Sequence, residues 1–430
     1  MNEASPKPEV YWYTLRKPKS TKLTEDLVFD VAIIGGGMAG LMCAQKLKSK
    51  NKNLKITVIE SSFCGGGASG KSSGFITPDS ELELTDLVRN YGKEEGKRIW
   101  EFVKGGVASI RETIERRNIN CDYSVQDSLF IANTSKGYKK VVEEYAAQHN
   151  CGYEAQLYDA TTIDQVIGTS QYVGAVHTKN TYGIIAYLYC QDLKDALVRD
   201  GIMIYEETPV SEITAAGIKI GERTVTANKV IVCTDHFLPK FNLAKDEIYH
   251  AQTFLAVTKP LEESVIKSLF PQGPKMVWDT DLIYQYFRIV EGSRLLMGAA
   301  SVLYTYANKE KKFSPLILKK MKNYLRKKFP SHTFDFEYFW PGFIGVSKDF
   351  LPIVGRDPVM KNVYYAGAGA GLPWAAALGE YLADKVFDHR DDFDTLFDIK
   401  RNYPIGHKGQ VVLSKPVSFA ISHGVKKYFN

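Results

Sequence analysis

Residues 30–60 read DVAIIGGGMAGLMCAQKLKSKNKNLKITVIE, and this stretch decides the fold. The apolar run at 31–34 predicts a short buried strand, and the glycine-rich turn after it leads into a helix. The chain then returns as a second apolar run, at 56–59, and ends on the acid Glu60. A strand, a G-x-G-x-x-G turn, a helix and a second strand ending in an acid are typical of a βαβ unit that binds a dinucleotide.

Each glycine of the turn has its own expected task. Gly35 allows the tight turn, Gly37 lets backbone approach a pyrophosphate, and Gly40 lets the helix pack on the strand. The helix N-terminus offers N–H groups and partial positive charge to the phosphates. Glu60 is expected to accept hydrogen bonds from ribose hydroxyls and to repel a 2′-phosphate. The turn alone does not separate FAD from NAD, and an ordinary glycine-rich βαβ turn is the alternative.

Length and composition describe a globular protein. The 430 residues suffice for two or more domains, and 44% hydrophobic and 24% charged residues are usual for soluble proteins. No apolar run approaches the roughly 20 residues of a membrane span, and the N-terminus lacks the apolar core of a signal peptide. We therefore expect a cytoplasmic protein. Six scattered cysteines without a C-x-x-C pair predict buried free thiols, with neither disulfides nor a metal site.

Much of the net charge of +6 lies at 309–328. Ser314 and Pro315 are typical of an N-cap and a first helical position, and apolar residues then recur at helical spacing opposite lysines and an arginine. A solvated helix face is the simplest interpretation. A membrane or nucleic-acid surface is the alternative.

Two loops follow the βαβ unit directly. The first, residues 65–75, is rich in glycine and serine, and we call it the second glycine loop. It fits a place where backbone touches a flat or anionic ligand, although a flexible linker would have the same composition. The next loop, TPDSELE at 77–83, carries acids that either attract a cationic substrate or form a solvated turn.

Parallel and antiparallel patterns alternate along the chain. βαβ-like pieces lie near 30–60, 190–235 and 360–387, whereas 247–303 carries β-rich runs without helices between them. The expected fold class is α/β plus α+β, with a discontinuous Rossmann-like nucleotide domain and a largely antiparallel-sheet substrate domain. The expected boundaries are 28–90, 184–245 and 345–395 for the first domain, 91–183 and 246–344 for the second, and 396–430 for a C-terminal tail.

The β-rich run from Leu282 to Val290 carries the candidate catalytic residues. Strand alternation puts Tyr284, Tyr286 and Arg288 on one face. Two phenols and a guanidinium suit a site with aromatic walls for an amine and a bidentate clamp for a carboxylate. The alternative is a solvent-facing strand with a surface salt bridge.

In combination, these motifs resemble the FAD-dependent oxidoreductases of the D-amino-acid oxidase, glycine oxidase and sarcosine oxidase family, above all its gamma-glutamylputrescine oxidase branch. The resemblance covers nearly the whole chain, and the order of several weak motifs makes it specific. These motifs are the Tyr-Trp lead at 11–12, the GGGMAG turn, GASGKSSG at 67–74, Asn120-Cys121-Asp122, Tyr172-Val173-Gly174, Trp340-x-Gly342 with Ser347, Asp349 and Pro352, the Gly367–Gly371 turn, and the tail from Tyr403-Pro404 to Pro416.

The resemblance implies a bound FAD. Its pyrophosphate would contact Gly35, Gly37 and Gly40, and its adenosine ribose would contact Glu60. The other implied contacts are Ala68, Ser69, Lys71 and Ser72 beside the flavin, Val210 at the adenine, and Gly369, Gly371, Leu372 and Pro373 beside the pyrimidine end of the ring. The helix that begins there is expected to stabilise negative charge at flavin N1/O2.

The chain departs from the family pattern in three places. Lys71-Ser72-Ser73 replaces Arg-Asn-Gly in the second glycine loop, and Ala370 stands where many relatives have a histidine. Relatives that tether FAD use a cysteine just before the Ser/Asp/Pro motif. This chain has Tyr338-Phe339-Trp340 there, so we expect non-covalent FAD.

The resemblance implies oxidation of an amine or amino acid, in which hydride passes from the carbon next to nitrogen to flavin N5 and the imine is hydrolysed. In place, Arg288 resembles an arginine that glycine-oxidase relatives use on the substrate carboxylate. The expected partners are this substrate and oxygen or another electron acceptor, not a nucleic acid. Lys71, Lys259 and Lys275 are the candidates for activating oxygen. The alternatives are a quinone- or carrier-linked dehydrogenase of the same fold, a flavoprotein subunit or nucleic-acid-directed modifier that uses the basic 309–328 face, and an NAD-linked enzyme.

Overall fold

The computed structural model describes residues 5–79, 81–301, 305–306 and 311–429. In these residues the strands form two eight-stranded sheets and one three-stranded sheet. The small sheet consists of Phe75–Ile76, Tyr182–Gly183 and Ser124–Val125.

The first large sheet is built around the strand Leu27–Ile34. That strand pairs in parallel with Ile56–Ile59 on one side and with Arg223–Val232 on the other. Met203–Tyr205 extends the sheet beyond Ile56–Ile59, and Val363–Gly367 pairs in parallel with the end of Arg223–Val232. The remaining strands are Glu212–Thr214, Gly217–Ile220 and Ile353–Arg356. The parallel core of the sheet therefore comes from segments far apart in the chain.

The βαβ unit predicted at 30–60 is confirmed. Its helix, Met38–Lys50, buries Leu41, Met42 and Leu47. The helices Ala186–Arg199 and Leu372–Asp388 pack against it, and the second of these makes the more extensive contact. Two helix N-termini are thereby held at the same end of the first sheet.

The second large sheet is largely antiparallel. In spatial order its strands are Phe336–Val346, Tyr249–Thr258, Arg294–Ala299, Tyr286–Val290, Met276–Asp279, Ser128–Ala132, Gly174–Thr178 and Gln156–Asp159. The pair of Met276–Asp279 with Ser128–Ala132 is parallel, and the other neighbouring pairs are antiparallel. The predicted fold class is confirmed, while the exact domain boundaries stay predictions.

The strand predicted from Leu282 begins later than expected. Residues 282–283 form a turn, and the strand runs from Tyr286 to Val290. Tyr284 therefore lies in the loop that leads into the strand, and strand alternation fixes only Tyr286 and Arg288.

The described residues form further helices along the whole chain. Besides those named above they are Trp12–Leu15, Ala68–Lys71, Leu84–Tyr91, Lys93–Arg117, Ser135–Asn150, Glu263–Leu269, Pro315–Lys328, Asp394–Phe397, His407–Leu413 and Lys415–Gly424, with 3₁₀ turns at Ile163–Gln165 and Asp235–Phe241 and a π-helical turn at Val425–Phe429. All six cysteines are free and buried, as predicted.

The helix Pro315–Lys328 starts as its sequence predicts. The Ser314 hydroxyl accepts the Ile317 N–H at 3.3 Å, and Ile317, Met321 and Leu325 are buried. Lys328 of its basic face donates to the Gln171 carbonyl at 2.7 Å. No helix among the described residues is both long and apolar enough to cross a bilayer. The cytoplasmic location and the role of this basic face stay predictions.

Candidate active site

A cavity of about 230 Å³ is lined by residues of both large sheets. Ala366 and Gly367 belong to the first sheet, and Thr253, Leu255 and Tyr286 belong to the second. Loops and helix ends complete the wall. Of the residues predicted from the sequence, those that line it are Gly37, Ala68, Ser69, Lys71, Ser72, Tyr284, Tyr286, Gly369, Gly371 and Leu372.

Two helix N-termini open onto this cavity. Helix Met38–Lys50 begins after Gly37, and helix Leu372–Asp388 begins after Gly371. The N-cap residues Gly37 and Gly371 have no side chain that could cap their helices. In the first of these helices, the Met38 N–H is bonded to the Ser69 Oγ at 3.0 Å. Each end keeps backbone N–H groups and partial positive charge for an incoming group. One cavity therefore offers two backbone positions for negative charge, as a pyrophosphate and a flavin ring require.

The three turn glycines have different surroundings. Gly35 has φ +109°, and a Cβ there would overlap the Cys233 carbonyl oxygen. A Cβ on Gly40 would overlap the Gly35 carbonyl oxygen, because the helix packs directly on the turn. At Gly37 a Cβ would contact only Ser69, with its Oγ at 3.1 Å. Gly35 and Gly40 shape the turn, and Gly37 faces the cavity.

The residues predicted to bind the adenosine end of FAD lie outside this cavity. Glu60 Oε2 accepts the Gly36 N–H at 2.7 Å, and Oε1 accepts the Ser62 N–H at 2.8 Å. These bonds hold the carboxylate at the end of its strand, beside the glycine turn. Val210 packs, half-buried, against the core on the other side of the first sheet. Pro373 also does not line the cavity, so the roles of these three residues stay predictions.

Three donors from distant parts of the chain hold the second glycine loop. Trp340 Nε1 donates to the Lys71 carbonyl at 3.1 Å, and Trp12 Nε1 donates to the Ser72 carbonyl at 3.1 Å. Arg288 Nε donates to the Ser73 carbonyl at 2.8 Å. Since consecutive carbonyls are bonded into the protein, the loop is a fixed wall of the cavity and not a flexible linker.

The structure corrects the predicted role of Arg288. Its side chain is fully buried, does not line the cavity, and also donates to the Ile184 carbonyl at 2.6 Å. Burial lowers its pKa to about 10, so it remains charged at neutral pH. A guanidinium bonded to backbone carbonyls in the core is neither a substrate clamp nor a surface salt-bridge partner.

Tyr284 and Tyr286 both line the cavity, and their catalytic role stays a prediction. Their ring centroids lie 5.6 Å apart. The Tyr284 hydroxyl donates to Glu81 Oε1 at 3.0 Å. Burial raises the pKa of both phenols, so both stay neutral at physiological pH.

The acidic loop at 77–83 is not a solvated turn. Asp79, Glu81 and Glu83 all line the cavity. Burial raises the pKa of Asp79 well above its usual value and that of Glu83 to about 7. Glu81 has φ +68°, a left-handed conformation that non-glycine residues adopt mainly where the surroundings impose it. The loop thus presents carboxyl groups to the cavity in a low-dielectric setting.

Residues 30–385 match the DAO family, described as FAD dependent oxidoreductase. The chain belongs to this family. The match spans the glycine turn, both large sheets and all but the last three residues of the helix Leu372–Asp388. The predicted family, enzyme class and cofactor are therefore confirmed.

Relatives of known name agree with this assignment. A probable oxidoreductase OrdL of Haemophilus influenzae is 27% identical over 370 residues, which cover 83% of this chain and 82% of that protein. The gamma-glutamylputrescine oxidoreductase of Escherichia coli is 27% identical over 392 residues, 89% of each chain. The crystal structure of glycine oxidase from Geobacillus kaustophilus has the same fold, with a TM-score of 0.74 at 18% identity over 87% of this chain and 99% of that one.

The cavity fits the FAD of this DAO-family chain. Gly37 and the N-terminus of Met38–Lys50 would hold the pyrophosphate, while Gly371 and the N-terminus of Leu372–Asp388 would lie beside the flavin ring. Ser69 ties the two glycine loops together, because its Oγ accepts the Met38 N–H at 3.0 Å.

Lys427, in the C-terminal tail, also lines the cavity and was not predicted. Its Nζ lies 4.0 Å from Glu81 Oε2, 5.5 Å from the centre of the Tyr284 ring and 5.4 Å from that of Phe350. No local pattern marks a lysine near a chain end as a site residue, because only the folded path of the tail brings it there.

Of the three lysines considered for oxygen activation, Lys71 lines the cavity. The Lys259 side chain is 64% exposed and pairs with Asp335 at 3.5 Å. Lys275 donates to the Gln272 carbonyl at 3.5 Å, away from the cavity.

Proposed function

We propose that this DAO-family enzyme oxidises a small amine or amino acid at the C–H bond next to nitrogen. FAD, when bound, supplies the acceptor for the hydride. The proposal rests on one juxtaposition: the cavity onto which two helix N-termini open is also lined by two neutral phenols, the three carboxyl groups of the acidic loop and Lys427. The names of the E. coli and G. kaustophilus relatives point to the same class of substrate.

The walls favour the neutral amine that this chemistry needs. An alkyl amine with a pKa near 10 costs about 4 kcal/mol to deprotonate at pH 7. Aromatic walls of Trp278, Tyr284 and Tyr286 exclude water and lower that cost, because a low dielectric disfavours the ammonium form. No dedicated strong base is then required.

Glu81 and Lys427 are the proposed recognition groups. Tyr284 donates to one oxygen of Glu81 and so fixes the carboxylate, whose other oxygen faces Lys427. Glu81 can accept a hydrogen bond from the substrate nitrogen. Lys427 can pair with a substrate carboxylate, the task expected of Arg288 from the sequence.

The electron acceptor is proposed to be oxygen, with Lys71 as the positive charge near the flavin. Lys71 is the one of the three candidates that lines the cavity. A quinone or carrier is the alternative acceptor. An enzyme that uses oxygen and one that uses a quinone or carrier differ in how fast the reduced protein reacts with air.

Anaerobic mixing of the purified yellow protein with a panel of amines and amino acids tests this function. We expect bleaching of the flavin absorbance by members of the panel. Fast recovery of colour in air would identify an oxidase, and slow recovery a dehydrogenase. If no amine or amino acid bleaches a fully FAD-loaded protein, the proposal is wrong.

A further inference from the structure

A second cavity, of about 170 Å³, adjoins the first. We call it the tail cavity. Six residues line both cavities, so they form two chambers of one space: Glu81, Thr253, Tyr284, Tyr286, Ile344 and Lys427. Glu81 contacts both Tyr284 and Lys427 at this junction, and we call these three residues the neck.

The C-terminal tail builds one wall of the tail cavity. Ala420, His423 and Gly424 line it from the helix Lys415–Gly424. This helix lies beyond residue 385, where the match to the DAO family ends. The opposite wall is apolar and consists of Leu282, Ile283, Ala300, Ile344, Val346 and Phe350.

Two polar side chains in the wall use their hydrogen bonds within it. His423 Nε2 lies 2.7 Å from the Ser347 carbonyl oxygen, and Tyr306 Oη lies 2.7 Å from His423 Nδ1. A carbonyl only accepts, so Nε2 carries the proton and Tyr306 donates to Nδ1. Burial lowers the pKa of His423 to about 4, so the ring is neutral at physiological pH. Away from the neck, the described wall residues carry no charge.

We propose that the tail cavity holds an uncharged, apolar part of the substrate, about the size of one aromatic ring, while the amine and any carboxylate stay at the neck. The inference rests on the proposed function and narrows its substrate class. A dry apolar cavity of about 150 Å³ accepts a benzene ring, and 170 Å³ is close to that size. A charged far end would lose its hydration in this cavity without gaining a partner.

Matched substrates test the inference on the FAD-loaded protein. The pairs are propylamine with hexylamine, hexylamine with 6-aminohexanoate, alanine with phenylalanine, and phenylalanine with glutamate. We expect kcat/KM to rise about fourfold per added methylene. The two compounds with a charged far end, 6-aminohexanoate and glutamate, should have a kcat/KM at least tenfold lower than their uncharged partners. Equal or better turnover of the charged members would overturn the inference.

Two substitutions, one in each wall of the tail cavity, test whether this cavity sets the preference for apolar substrates. Ala420→Phe fills the tail cavity and should lower kcat/KM for the longer apolar substrates at least tenfold, with less than a twofold change for propylamine. Val412→Phe is the matched control, because Val412 lies in the same tail and is 83% exposed. Ile283→Ala enlarges the tail cavity and should shift the substrate preference to bulkier apolar groups. This second variant tests the inference even if the Ala420→Phe protein does not fold. Unchanged preferences in a folded Ala420→Phe or Ile283→Ala protein would contradict the inference.

Binding of benzyl alcohol separates this inference from the proposed function. Titration of the FAD-loaded protein, followed by the flavin absorbance and by calorimetry, should show binding that Ala420→Phe weakens at least tenfold. If benzyl alcohol does not bind the wild-type protein, the inference is wrong. If it binds while no amine or amino acid bleaches the flavin, the proposed function fails and the apolar subsite stands.

Discussion

The Arg288 guanidinium donates to the Ser73 carbonyl oxygen at 2.8 Å, across 215 positions of the chain. The same side chain donates to the Ile184 and Ile289 carbonyls. A buried cation therefore joins the second glycine loop to a strand of the second sheet. Its proposed task is to position the loop that lines the flavin side of the cavity.

Arg288→Gln should weaken the fold and FAD binding together. Hydrogen bonds to a charged group contribute more than neutral ones, and their carbonyl acceptors would be left buried and unpaired, so we expect a loss of about 2 to 4 kcal/mol in the free energy of unfolding. The dissociation constant for FAD should rise at least tenfold. Denaturant unfolding and FAD titration measure the two effects.

Arg326→Gln, on the exposed face of Pro315–Lys328, is the control for Arg288→Gln and should leave both quantities unchanged. A substrate clamp would behave differently. If fully FAD-loaded Arg288→Gln kept its stability and lost only affinity for carboxylate-bearing substrates, the positioning role would be refuted.

Gly37→Ala and Gly40→Ala should separate cofactor binding from folding. A Cβ on Gly37 contacts only the Ser69 hydroxyl, at 3.1 Å, so the protein should fold with a Tm near that of the wild type and bind FAD at least tenfold more weakly. A Cβ on Gly40 overlaps the Gly35 carbonyl oxygen, so that variant should lose several kcal/mol of stability. Thermal unfolding and FAD content decide the matter, and a Gly37→Ala protein that retains full FAD affinity would contradict the assignment.

Glu81→Gln and Lys427→Met should affect different substrates. Removing the carboxylate should weaken binding of simple amines about tenfold, because the nitrogen loses a charge-assisted partner. Removing the Lys427 ammonium should weaken the binding of amino acids about tenfold and change the binding of simple amines less than twofold. The concentration dependence of anaerobic bleaching gives both affinities, and equal losses for both substrate classes in both variants would argue against separate roles.

Lys71→Met should slow reoxidation of the reduced flavin at least tenfold in air, while anaerobic bleaching changes less than threefold. The positive charge that would stabilise developing negative charge on oxygen is lost, whereas the substrate side of the cavity is kept. Lys259→Met is the matched control, since its side chain is largely exposed. An unchanged rate of reoxidation in Lys71→Met would exclude this lysine.

Glu83 should make stability depend on pH between about 4.5 and 7. Burial raises its pKa from 4.5 in the unfolded chain to about 7 in the folded protein, so the folded state binds the proton more tightly. The stability that protonated Glu83 contributes to the folded state is fully present below pH 4.5 and is lost as the pH rises through 7. In Glu83→Gln the fall in unfolding free energy from pH 5 to pH 8 should therefore be smaller than in the wild type. Glu94→Gln, at an exposed position, should keep the wild-type slope.

The nucleotide half of the site was predictable because its signals are local. Spacing of apolar residues fixed the βαβ unit, and the order of motifs predicted the family, the fold class and FAD. Ala68, Ser69, Lys71 and Ser72 all line the cavity, as expected for consecutive positions of one loop. Alternation placed Tyr286 correctly even though the strand begins four residues later than predicted.

The substrate half depended on contacts between distant segments. The sequence determined the turn, the helix N-terminus behind it and the cofactor, because backbone geometry over a few residues creates them. Tertiary structure alone decided that Arg288 is bonded to the second glycine loop through the Ser73 carbonyl. It also decided that Lys427 lies beside Glu81, at the neck of a cavity that the C-terminal tail helps to line. A charged side chain reveals its task only through the partners that folding brings to it, and those partners here lie hundreds of residues away.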